Sequence, residues 1–78
     1  VKKIRLIWDF RGPASEMTAR HHEIHLREYR DAEKLPQLPT GFETFGEMHA
    51  TAWMVVVESD MVSVRDALRP HRGELFQV

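Results

Sequence analysis

The chain contains no cysteine. Disulfide stapling, thiolate catalysis and cysteine-held zinc or iron–sulfur centres are therefore excluded, and a cytosolic setting is expected. Long apolar runs are missing too. The longest, "AWMVVV" (Ala52–Val57), falls far short of a membrane span. Nor is there an excess of either charge. Eleven basic and twelve acidic residues are interspersed to a net −1, which leaves no electrostatic footprint for nucleic acid or an anionic membrane. The opening "VKKIRLIWDF" sets basic residues before an apolar stretch, as a secretory leader does. Asp9 and Arg11 interrupt it and no small-residue cleavage site follows, so no leader is expected.

What is present suits one small globular domain over residues 1–78. Hydrophobic residues at 42% and charged residues at 29% are ordinary for such a domain and wrong for a disordered chain. A chain this short buries roughly 60% of its unfolded surface, which leaves room for help from a partner subunit.

"KIRLIWDF" alternates, with Ile4, Leu6, Trp8 and Phe10 on one side and Arg5, Ile7 and Asp9 on the other, and predicts a strand. "RGP" breaks it, and Pro13 is placed for the first turn of a helix running to about Lys34. Glu16, Arg20, Glu23, Arg27, Arg30 and Lys34 share one helical face. The buried face is expected opposite, on Ala14, Met17, His21, Ile24, His25, Glu28 and Ala32. "LPQLPTG" reads as a loop, and "FETFGEMH" as a weak edge strand in which Gly46 suits a bulge. "ATAWMVVVES" is a strong strand, apolar on both sides. A short helix capped by Ser59 or Asp60 should follow and stop before Pro70, with "GELFQV" as the last strand. No repeat or low-complexity tract appears.

Strand, helix, strand, strand, helix, strand is the ferredoxin-like split β-α-β order, an α+β fold with a four-stranded antiparallel sheet and both helices on one side. The first and third strands, the two most apolar, are central in that topology. Because the third is apolar on both sides, the helix-free side is expected to need a cover. A second copy of the sheet is the simplest, giving a homodimer.

Chemistry is expected around "TARHHEIHLREY". His21 and His25 lie four apart with Glu28 a turn on, a spacing that lets two imidazoles approach one ion, although no fourth ligand is marked. Polar residues satisfied at a helix–sheet seam explain the same pattern. His49 and His71 join only if the fold brings them near. Imidazoles flanked by alanines at the centre of the presumed buried face describe a pocket better than a core. Asp9, at the strand end, is either a turn carboxylate or the partner that fixes a histidine's tautomer for general base work. The expected catalytic set is His25, Asp9 and His21, with no cofactor and no committed metal ion. Two serines, Ser59 and Ser63, lack a nucleophile elbow. Gly12 suits a turn better than a phosphate loop. "RPHRG" reads as a basic helix end or, more sharply, as a clamp for an anion or carboxylate.

A first strand ending in aspartate ("IRLIWD") followed by a helix with an "HL" pair ("IHLREY") resembles the YCII-related proteins, small members of the dimeric α/β-barrel group. The resemblance implies a ferredoxin-like homodimer with a His–Asp site, which falls on His25 and Asp9. The chain departs from that pattern before its second strand, where "LPTGF" replaces the usual glycine–proline turn. Two classes of function follow: a small-molecule enzyme or binder with a His/Asp pocket, and a structural or ligand-sensing module, with histidine-based metal binding as a further alternative. An RNA-recognition domain is disfavoured, because "AWMVVVES" lacks the basic, glycine and aromatic pattern of that fold's third strand.

Overall fold

Alternation along the first strand decides which side of the molecule each residue joins. In the computed structural model, which describes residues 1–76, the elements run β1 (Lys3–Arg11), α1 (Ser15–Ala32), β2 (Thr40–Thr44), β3 (His49–Val57), α2 (Glu58–Leu68) and β4 (Arg72–Phe76). The strands form one antiparallel sheet in the order β2-β3-β1-β4. The fold is thus ferredoxin-like, with the first and third strands central. Leu6 and Trp8 of β1 and Ala50, Ala52, Met54 and Val56 of β3 share one core with Ala19 and Leu26 of α1 and Val64 of α2. Both helices therefore cover the same side of the sheet. Trp8 is held there at both ends, its ring buried and its Nε1–H donating to the Leu68 carbonyl at 2.8 Å. No helix among the described residues is long and apolar enough to cross a membrane.

The helix faces differ from expectation. Ser15, Ala19 and Leu26 are the buried positions of α1, with His22 and Tyr29 half-buried beside them. Met17, His21, Ile24 and His25, expected inside, are not: Met17, Ile24 and His25 are exposed, and His21 lies with them on the outer face. The helix is turned by about a quarter revolution from the face diametrically opposite its charges. Its charged stripe is the cause, because not all of that stripe faces water. Glu23 and Arg30 are only 12% and 15% exposed, Glu23 accepting from the Thr40 hydroxyl (2.6 Å) and Arg30 donating to the Leu38 carbonyl (2.9 Å). Their stems lie along apolar surface while the charged heads find polar partners.

Two boundaries also differ. β2 ends at Thr44 because Gly46, at φ +118°, turns the chain back into β3, so it is a hairpin residue and not a bulge. α2 begins at Glu58 with Val57 at the cap and no side-chain cap bond, so neither Ser59 nor Asp60 caps it. It ends as expected before Pro70, through Arg69 in the left-handed region (φ +50°). Beyond Phe76 the expected last strand lies outside the described residues. Gly12 (φ +108°) makes the tight turn into α1, donating to the Met48 carbonyl at 2.8 Å, while its own carbonyl accepts from Ser15 at 3.0 Å.

The side of the sheet without helices is not a bare apolar surface. Ile7 and Val55 face it, yet they are 4% and 1% exposed within the single chain. Larger neighbours fold over them. Trp53 lies across β2 at Gly41, so close that a Cβ there would sit 2.5 Å from the indole. The Arg5 guanidinium stacks 5.5 Å from the Trp53 ring and reaches Glu74 at 2.6 Å. Much of the expected cover is thus supplied by the sheet's own side chains.

Candidate functional site

Odd-numbered residues of β1 project away from the helices, and Asp9 is one of them. Strand pairing sets Asp9 opposite Thr51 and Arg11 opposite His49 on β3, and Ile7 opposite Arg72 on β4. Asp9 is therefore diagonal to both His49 and Arg72, within reach of long side chains. His49 Nε2 lies 2.9 Å from Asp9 Oδ1. Arg72 forks onto both carboxylate oxygens, Nε donating to Oδ2 at 3.0 Å and Nη2 to Oδ1 at 3.2 Å. The backbone is fixed as well. The Asp9 N–H donates to His71 Nδ1 at 2.7 Å, and the His71 N–H donates to the Ile7 carbonyl at 2.9 Å.

These contacts hold the Asp9 carboxyl down at about 2, chiefly through the hydrogen bond from Arg72 and then that from His49, against a smaller opposing effect of burial. Asp9 is therefore an anion at neutral pH and can only accept. A neutral His49 must then carry its proton on Nε2, which leaves Nδ1 as the basic nitrogen. Phe45 lies against the imidazole, ring centres 5.1 Å apart.

Beside this cluster is a hollow of about 190 Å³ on the open side of the sheet, lined by Arg5, Ile7, Glu43, Phe45, Thr51, Trp53, Arg72 and Glu74, so that it meets the cluster through Arg72 and Phe45. Within it Arg5 is answered by Glu74 and Arg72 by Asp9, while Glu43 makes no ion pair among the described residues. A larger depression of about 550 Å³ runs along Pro13, Met17 and Ile24, but it is the outer face of one helix with no element opposing it.

The residues expected to form the site are divided by the sheet. Asp9 stands on the helix-free side. His21 and His25 stand on α1, bonded to each other (Nε2 to Nε2, 2.9 Å), with His25 also reaching Glu28 (3.1 Å). Asp9 is brought to neither. Strand parity is the reason, since Trp8 and Phe10 occupy the helix side of β1. The histidine at the helix–sheet seam is instead His22, its ring centre 5.1 Å from Trp8 and 5.4 Å from Phe10. Burial, with His25, His71 and His21 nearby, pushes its pKa below the ordinary imidazole value.

Sequence reasoning leaves His49 conditional and reads Arg72 as part of a clamp without naming its carboxylate, which is Asp9. A signal for the pair exists in the sequence: β1 and β3, paired antiparallel, bring an odd-face aspartate beside an odd-face histidine near the same sheet end. Compared with known proteins, the chain matches no protein-family model, no curated protein and no solved structure.

Proposed function

We propose that the protein binds, and by proton transfer transforms, a small polar molecule in the hollow on the open side of the sheet, with His49 as general base and Asp9 as the residue that orients it. The observation that carries the reading is the His49–Asp9 contact at 2.9 Å, with Arg72 locking the carboxylate as an anion. Arg72 and His71 make Asp9 rigid, so the imidazole is presented in one tautomer. Glu43, the unanswered carboxylate, favours a ligand carrying a cationic or hydrogen-donating group, which is also the kind of group from which His49 would take a proton.

The hollow is small for a ligand site, since enclosed pockets usually measure about 300–1,000 Å³. A second copy closing sheet against sheet would roof and enlarge it, and the mixture of Arg5, Glu43, Arg72 and Glu74 on that face is self-complementary in charge. We therefore propose the homodimer as the working form. Membership of the YCII-related group belongs to the same proposal. It is supported by the βαββαβ order and by Asp9 near the end of β1.

Trp53 lines the hollow and reports on it. Titrating small amines and amino alcohols against size-matched carboxylic acids should change Trp53 emission saturably for an amine-bearing compound, and His49→Gln or Asp9→Asn should abolish the response. A response only to the acids, or one unchanged in both variants, overturns the reading. A second reading, a purely structural strut, is favoured by one observation: both Asp9 oxygens are already engaged. It predicts that no compound in the panel binds.

A further inference from the structure

Two imidazoles on the outer face of α1 converge on one point. His25 Nδ1 lies 3.1 Å from a Glu28 carboxylate oxygen, and His25 Nε2 lies 2.9 Å from His21 Nε2. An ionised carboxylate only accepts, so a neutral His25 ring carries its proton on Nδ1 and turns a bare Nε2 lone pair towards His21. At this distance His21 Nε2–H donates to that lone pair, and a metal cation that displaces the single bridging proton meets both Nε2 atoms as ligands.

The spacing discriminates among cations. With metal–nitrogen bonds of about 2.0–2.1 Å, a right angle at the metal sets the nitrogens about 2.9 Å apart, whereas a tetrahedral angle sets them about 3.3–3.4 Å apart. The hydrogen-bonded separation of 2.9 Å already matches the right-angle bite, so a tetragonal ion could replace the bridging proton with the rings where they stand. That geometry suits Cu(II) or Ni(II) better than Zn(II), and Cu(II) stands at the head of the divalent affinity order. A second observation points the same way. Met17 stands one turn before His21, is 76% exposed, and lines the same shallow groove as His21 and His25. A thioether so exposed contributes little to the core, but it is a soft ligand suited to Cu(I).

We propose that His21 and His25 chelate a copper ion, that Glu28 is the positioning residue holding the His25 ring, and that the Met17 thioether joins when the ion is Cu(I). No group of three or more His, Cys, Asp or Glu that could hold a metal occurs among the described residues. The two imidazoles are therefore the whole nitrogen set of the site, and water completes the Cu(II) shell. The site stands on the opposite side of the sheet from Asp9 and His49, so it neither needs nor supports the reading given there.

The test is calorimetric titration of the full chain with copper(II) and zinc(II) sulfate, alongside electron paramagnetic resonance of the copper form. One equivalent of Cu(II) should bind, with a tetragonal signal split by two nitrogens and an affinity at least about tenfold above that for Zn(II). His21→Gln and His25→Gln should each weaken Cu(II) binding by about tenfold or more, and Glu28→Gln by about tenfold through loss of ring orientation. These side chains lie on the outer face, and circular dichroism should show each variant folded. Met17→Leu should weaken Cu(I) binding, read by competition with a chromogenic chelator, while leaving Cu(II) affinity unchanged. Full Cu(II) affinity in the double histidine variant, or Zn(II) bound as tightly as Cu(II), overturns the site. Unchanged Cu(I) affinity in Met17→Leu overturns the role of the thioether.

Discussion

Replacing Asp9 with asparagine keeps the side chain's shape and removes its charge, leaving Arg72 and His49 facing a neutral amide. Asp9 falls from an ordinary 3.8 to about 2 on folding. At about 1.4 kcal/mol per unit, that depression corresponds to roughly 2.5 kcal/mol of pH-dependent stability. Asp9 is only partly buried, so solvent screening reduces the figure to about 1–2 kcal/mol. For a domain of this size the loss lowers Tm by roughly 4–16 °C. Because the folded value lies below the unfolded one, the stabilisation is complete above the unfolded value and disappears as pH falls through the folded one. Urea unfolding of both proteins should therefore show a gap of about 1–2 kcal/mol at neutral pH. It should narrow below pH 3.8 and close near pH 2, where protonated Asp9 and the asparagine that replaces it are alike. Other carboxylates, including Asp31, titrate in both proteins and cancel. No gap at neutral pH, or one that stays constant as the pH falls to about 2, refutes the assignment of Asp9 as the clamped anion.

Gly41→Ala drives a Cβ to within 2.5 Å of the Trp53 indole, so it should destabilise by about 1–3 kcal/mol and alter Trp53 emission. An unchanged spectrum would show that the indole does not lie on β2. His22 Nε2 is buried with no hydrogen-bond partner among the described residues. His22→Leu should accordingly preserve or raise stability, the relief of that desolvation offsetting about 0.5–1.5 kcal/mol of ring packing on Trp8 and Phe10. A loss above about 2 kcal/mol by thermal unfolding would mean that the imidazole has a partner after all. Arg69 occupies the left-handed region at the end of α2. Arg69→Gly should remove about 1 kcal/mol of backbone strain, less the added freedom of the unfolded chain. A lower Tm would indicate that the Arg69 side chain itself contributes.

The sheet is readable from the sequence because strand periodicity is two: one apolar residue in "KIRLIWDF" fixes the side of every other. That parity alone puts Trp8 with the helices and Asp9 away from them. The helix is harder. Its apolar residues do not form one stripe, because Met17 and Ile24 are exposed while Ser15 and His22 lie inward. Charges on α1 suggest a solvent face, but Glu23 and Arg30 are engaged by Thr40 and the Leu38 carbonyl. Long charged side chains can cover a seam as well as face water, so opposition to the charged face is a weak guide to the buried one.

The same distinction explains why Asp9 meets a histidine other than the one the sequence suggests. Asp9 follows from strand parity, which is a strict rule, whereas His25 is matched to it through the helical wheel, which is a loose one. Applied to both members of the pair, parity selects a different histidine. An odd-face residue of β1 can meet only residues that share its side of the sheet, and His49 of β3 does. The histidines of α1 are excluded by the sheet itself, whatever the rotation of the helix. Their clustering therefore needs its own explanation, and a 2.9 Å convergence of two Nε2 atoms on the outer helix face gives a narrower one than packing does. Packing predicts that polar partners satisfy each ring separately. Two Nε2 atoms joined by a single proton can exchange it for a cation, and only that exchange predicts a response to copper that both rings must be present to give.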